Sequence, residues 1–96
     1  MDDMLDRLEA IISDRQRNPL EGSYTNRLLE SGKPAIAQKV GEEAVEVVIA
    51  ALAQGKNEQI DEFADLFYHA MVLMRALDIG LDDVRARLRQ RHQPPE

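Results

Sequence analysis

The chain contains no cysteine, which excludes disulfides and thiolate metal sites. It has no surplus of positive charge either: 12 basic residues stand against 18 acidic ones, a net charge of -6. General affinity for nucleic acid needs clustered cations, so that partner class is excluded. A small phosphorylated ligand is not excluded, because a bound divalent cation reverses the field locally. No apolar run is long enough to span a bilayer; the longest, Ala44 to Ala53, is short and broken by Glu46. The first stretch, MDDMLDRLEAIISDRQ, is acidic and amphipathic, without a basic leader or a cleavable apolar segment. These absences predict a cytoplasmic protein with no membrane partner. Nothing reads as a β-strand, an internal repeat or a low-complexity segment.

What is present is helical. The 96 residues, 44% hydrophobic and 31% charged, suit one globular domain, residues 1–96. Met4, Leu5, Leu8, Ile11 and Ile12 recur at helical spacing and predict a first helix from about Asp2 to Arg17, ended by Asn18-Pro19. An irregular segment follows, in which Thr25 to Ser31 suits a short helix capped by Ser23 or Thr25. A long helix is expected over Ala35 to Gln54, with Gly55 as its stop. Another is expected over Glu58 to Leu77, capped by Asn57 and stopped by Gly80. The last spans about Asp82 to Arg91, and HQPPE, residues 92–96, reads as a frayed tail.

The two long helices are apolar nearly all round. Ala44, Val47, Ala50 and Ala51 lie off the Val45/Ile49/Leu52 stripe, leaving little wet face. So short a chain cannot easily cover two such helices. The expected fold is therefore all-α, a helical bundle completed as a homodimer with a shared four-helix core.

The acids are placed unusually. VGEEAVEVVIAALA puts Glu42, Glu43 and Glu46 on one turn at the head of an apolar run. On a helical wheel Glu46 falls roughly 40° and Glu43 about 100° from Glu42, one quadrant beside the apolar stripe. The next long helix repeats the device with Glu62 and Asp65, three residues apart, on a stripe that Glu58 and His69 extend. The short connection AQGKN favours antiparallel pairing, which turns the two acidic stripes toward each other. Two carboxylates about 5 Å apart repel by roughly 3 kcal/mol at an effective dielectric near 20. Several such pairs threaten a fold worth only about 5–15 kcal/mol. Relief comes from a shared proton with raised pKa or from a bound hard cation, and all-oxygen ligation suits Mg²⁺ or Mn²⁺ rather than Zn²⁺.

EEAVE (Glu42 to Glu46) followed by EFAD (Glu62 to Asp65) resembles the EExxE…ExxD signature of MazG-type all-α nucleotide pyrophosphatases. The surrounding GSYTNRLLESGKPAIAQKVGEEAVEVVIAA and DEFADLFYHAMVLMRALDIGLDDVRARLRQRH resemble, within that class, the phosphoribosyl-ATP pyrophosphatase family of histidine biosynthesis, from Gly22 to His92. The resemblance implies hydrolysis of phosphoribosyl-ATP to phosphoribosyl-AMP and pyrophosphate, Mg²⁺ dependence and a dimeric α-helical fold. It implies Glu43, Glu46, Glu62 and Asp65 as metal ligands. Glu42 and Glu46 are the candidate catalytic residues, Glu42 as a base or water-orienting group with a surface salt bridge as its alternative. Lys39, four residues before Glu43, either binds a phosphate oxygen or pairs with a glutamate. Tyr24 and Lys33 lie in the irregular segment and are candidate phosphate or ribose contacts; Arg27 reads as solvent-exposed. His69 reads as a satisfied core histidine, or as a hydrogen-bond partner of a carboxylate. Two other functions compete: a house-cleaning nucleoside-triphosphate pyrophosphatase, and a helical dimerisation module without catalysis.

Overall fold

The computed structural model describes residues 3–93 and contains five helices and, among those residues, no strand. They are α1 (Met4–Arg17), α2 (Tyr24–Ser31), α3 (Lys33–Ala53), α4 (Lys56–Ala76) and α5 (Leu81–Arg91). No described helix is long and apolar enough to cross a membrane. The expected start of the first helix at Asp2, and residues 94–96 of the expected tail, lie outside the described residues.

Local chemistry explains the boundaries. Asp3 caps α1 by accepting from the Asp6 N–H at 3.0 Å, and Ser23 caps α2 by accepting from Asn26 N–H at 3.3 Å. α1 closes at Asn18, whose amide donates to the Asp14 carboxylate at 2.9 Å. Gly32 alone separates α2 from α3; its φ of 90° and ψ of 163° are open essentially only to glycine. α3 begins two residues before the expected Ala35 because Pro34, with no N–H to satisfy, fits the first helical turn. The link from α3 to α4 is also tighter than expected. Gln54 and Gly55 adopt extended conformations; Gln54 is the C-cap of α3, and Gly55 is at once the expected C′ residue and the N-cap of α4. Asn57 therefore sits inside the helix it was expected to cap. At the other end Leu77 caps α4, and Gly80 starts α5 instead of stopping its predecessor, its N–H donating to Asp83 at 2.9 Å.

α3 and α4 form an antiparallel pair, the most extensive packing in the molecule. α1 and α2 cover one end of it around a core of Ile12, Leu28, Ile36, Met71 and Val72, of which Ile36 and Val72 are fully buried. α5 is tethered by its start. The Leu81 N–H donates to Glu9 at 2.7 Å, and Arg85 bridges to Asp6 at 2.9 Å, holding the Asp6 carboxyl below its usual range.

Buried Asn26 was given no role by the sequence reading, yet it clasps two elements. Its side-chain N–H donates to the Arg15 carbonyl at 2.7 Å and its oxygen accepts from the Leu20 N–H at 2.9 Å. Asn26→Leu removes the partner of both backbone groups, which are only partly buried, and each lost hydrogen bond is worth about 0.5–1.5 kcal/mol. The expected loss is about 2 kcal/mol in denaturant unfolding, with an unchanged m-value. A loss below half that figure would mean water replaces the amide.

Candidate active site

The antiparallel α3–α4 pair aims acids from both helices at one point. Carboxylate oxygens of Glu43, Glu62 and Asp65 all lie within 4.8 Å of one another. Glu43 and Glu62 are half-buried and Asp65 is exposed, so the cluster opens to solvent on one side. Partial burial pushes the Glu62 carboxyl above its ordinary value, and the like charges of Asp65, Glu46, Glu43 and Asp61 push it further. Repulsion inferred from spacing alone thus takes a definite place in the molecule.

The predicted residues divide into those the fold brings together and those it does not. Glu46 stands outside the tight trio but near enough to raise Glu62. Glu42 turns outward: one oxygen lies 3.6 Å from Lys39 Nζ and the other accepts from Gln38 at 3.1 Å. Lys39 also lies 3.6 Å from Glu43, so its ammonium links the trio to Glu42. The Tyr24 phenol, then Glu43 and Glu42, hold that ammonium above the ordinary lysine value. Tyr24 extends from α2 to α4, where its hydroxyl lies 3.0 Å from His69 Nε2, one helical turn from Asp65. Lys33 lies over a different cleft with Gln16, Asn26, Leu29 and Glu30.

His69 is buried, and both ring nitrogens are occupied. Nδ1 lies 2.7 Å from the backbone oxygen of Asp65, not from its carboxylate, and Nε2 lies 3.0 Å from the Tyr24 hydroxyl. Four-residue spacing from Asp65 could have shown that a histidine here reaches the preceding turn's carbonyl. The pairing with Tyr24 joins residues 45 positions apart and left no local signal.

Three carboxylates from an EExxE and an ExxD converge across two antiparallel helices joined by a two-residue link, the arrangement expected of the all-α pyrophosphohydrolases that these motifs resemble. The sequence model described as Phosphoribosyl-ATP pyrophosphohydrolase matches residues 5–92, and the chain belongs to that family. It is 50% identical to the phosphoribosyl-ATP pyrophosphatase of Metallosphaera sedula over 95% of this chain and 98% of that protein. It is 52% identical to the protein of the same name from Sulfurisphaera tokodaii, over 92% of this chain and 94% of the relative. A histidine biosynthesis bifunctional protein of Xanthomonas campestris is 48% identical over 93% of this chain, which covers 43% of that longer protein.

Proposed function

We propose that the chain hydrolyses phosphoribosyl-ATP to phosphoribosyl-AMP and pyrophosphate, the second step of histidine biosynthesis, as a cytoplasmic, cation-dependent homodimer. The observation that carries the reading is the convergence of Glu43, Glu62 and Asp65 within 4.8 Å, in a member of the phosphoribosyl-ATP pyrophosphohydrolase family.

The donor set fits a hard divalent cation. All three candidate ligands are carboxylate oxygens gathered within 4.8 Å of one another, the hard donor type that Mg²⁺ takes. The ligands we assign are Glu43, Glu62 and Asp65, with Glu46 as the fourth; Mn²⁺ would satisfy the same donors. Bound there, magnesium supplies neutralisation of phosphate charge and a more acidic water.

The protein's own groups do the positioning that phosphoryl transfer chiefly demands. Lys39 offers an ammonium beside the cluster, suited to a phosphate oxygen. Tyr24 offers a phenol on the same edge. Lys33, set apart from the cluster, is left with contacts to a more distant part of the substrate. Glu46 is the carboxylate best placed to accept a proton from an attacking water at the cluster's edge. Glu42, held by Lys39 and Gln38, orients that lysine and the outer waters.

The test is incubation of the pure protein with phosphoribosyl-ATP and Mg²⁺, with dCTP, dUTP and ATP as competitors. Pyrophosphate release from phosphoribosyl-ATP, abolished by EDTA, is expected. Release from an ordinary nucleotide alone would make the chain a house-cleaning enzyme instead.

A further inference from the structure

One polar chain crosses from α4 to α2 beside the acidic cluster, and its buried histidine has no task in the proposed reaction. It begins at Asp65, whose carboxylate joins the trio while its backbone carbonyl lies 2.7 Å from His69 Nδ1. A carbonyl only accepts, so Nδ1 carries the hydrogen. In the neutral imidazole Nε2 is then an acceptor, and the Tyr24 hydroxyl, 3.0 Å away, donates to it. The phenol's proton is thereby committed to the imidazole, which fixes the orientation of the Tyr24 hydroxyl.

The surroundings hold this geometry rigidly. The His69 ring meets Tyr24 edge-on at 5.9 Å and Tyr68 edge-on at 5.1 Å. Tyr68 in turn shares a hydrogen bond with the Thr25 hydroxyl, next to Tyr24 in α2. His69 is 5% exposed, whereas Tyr24 is 42% exposed and presents its ring outward, with the Arg27 guanidinium 5.5 Å from the ring centroid. A buried, fully partnered imidazole thus fixes a partly exposed tyrosine against whose ring the Arg27 guanidinium is set.

We propose that His69 is a positioning residue for the substrate's phosphates: acting through the Tyr24 hydroxyl, it fixes the Tyr24 ring and the Arg27 guanidinium set against it relative to the carboxylate cluster. This rests on the phosphate chemistry proposed above and adds to it a named route between the Asp65 turn and the anion-binding edge. A polyphosphate lying between them is gripped from two sides whose separation is governed by one hydrogen-bonded chain.

The discriminating experiment is a double-mutant cycle read as binding of inorganic tripolyphosphate, with Mg²⁺ present, by titration calorimetry. Tyr24→Phe keeps the ring and loses the hydroxyl; His69→Leu removes the acceptor. Each is expected to weaken binding about fivefold to tenfold, the equivalent of one hydrogen bond. If His69 acts through Tyr24, the double variant binds no more weakly than either single one. Effects that multiply, or an unchanged Kd in Tyr24→Phe, would overturn the proposal, as would failure of the wild type to bind tripolyphosphate. His69→Gln, whose amide also reaches Tyr24, is expected to recover part of the loss, which a purely space-filling role would not produce. Should His69→Leu fail to fold, Tyr24→Phe and His69→Gln decide the matter. Turnover of phosphoribosyl-ATP by the wild type is scored separately, so loss of the activity reading is distinguishable from loss of this one.

Discussion

Glu62→Gln is expected to lower kcat/KM by on the order of 10²–10³-fold while raising the melting temperature of the cation-free protein at neutral pH. The two effects share one cause. Partial burial and the charges of Asp65, Glu46, Glu43 and Asp61 raise the Glu62 carboxyl above its ordinary value. Folding therefore favours its protonated form. The stability linked to this group is greatest below the ordinary glutamate range and declines as pH rises toward the raised folded value. Charging Glu62 adds to the repulsion among these acids, and the glutamine variant never carries that charge. Thermal unfolding in EDTA between pH 4 and 8 should show the wild type losing stability, relative to the variant, as pH climbs through that window. Mg²⁺ should reverse the order. At a hundredfold excess over Kd, a ligand specific for the folded state adds about 2.7 kcal/mol, a rise on the order of 10 °C for a domain of this size. The variant should gain far less. A Glu62→Gln protein that is less stable than the wild type in EDTA, or equally stabilised by Mg²⁺, would show that the carboxylate serves a structural contact rather than an ion. Retained turnover in a folded variant would favour the non-catalytic helical module.

The site was legible in sequence to the extent that helix geometry is periodic. EExxE and ExxD spacings fix side-chain direction on each helix, and a short connection fixes antiparallel pairing, so Glu43, Glu62 and Asp65 could be brought together on paper. What periodicity does not carry is the axial offset between the two helices. That offset decides which glutamate of EExxE faces ExxD, and in the structure it selects Glu43 for the tight trio while leaving Glu46 at its edge. Helix ends were less legible for a related reason. Gly55 follows α3 as glycine commonly does, but in an extended rather than left-handed conformation, and it also starts the next helix. A two-residue link gives one glycine both neighbours, and local preference cannot say which it serves. The α2–α4 contacts through Tyr24, His69, Thr25 and Tyr68 are tertiary, and no window of sequence contains them.

In the homodimer proposed for this chain, Ile49→Glu and Phe67→Glu are each expected to raise the dimer dissociation constant by on the order of 10²–10⁴-fold. The structure leaves a large apolar surface to be covered. Val45, Val48, Ile49 and Leu52 form an exposed stripe on α3, opposite buried Ala50, and Ile60, Phe63 and Phe67 form another on α4. The single chain exposes 7039 Å², whereas a compact monomer of its 10.9 kDa mass would expose about 5,600 Å². Its radius of gyration, 15.1 Å, likewise exceeds the roughly 12.5 Å of a compact domain of this length. The excess area is larger than the about 800 Å² that each partner contributes to a standard interface. A second copy laid on α3 and α4 completes the four-helix core proposed for the homodimer, and two-fold symmetry places every interface residue in it twice. Burying an isoleucine or phenylalanine is worth about 1.5–3 kcal/mol, so losing two copies costs roughly 3–6 kcal/mol before the desolvation of two glutamates is added. At about 1.4 kcal/mol per tenfold change, that suffices for the stated shift. Sedimentation velocity across a range of protein concentrations measures it directly, and the wild-type melting temperature should rise with concentration in parallel. A wild type that sediments as a monomer at micromolar concentration, or variants that keep the dimer's mass there, would mean that these stripes are covered in some other way.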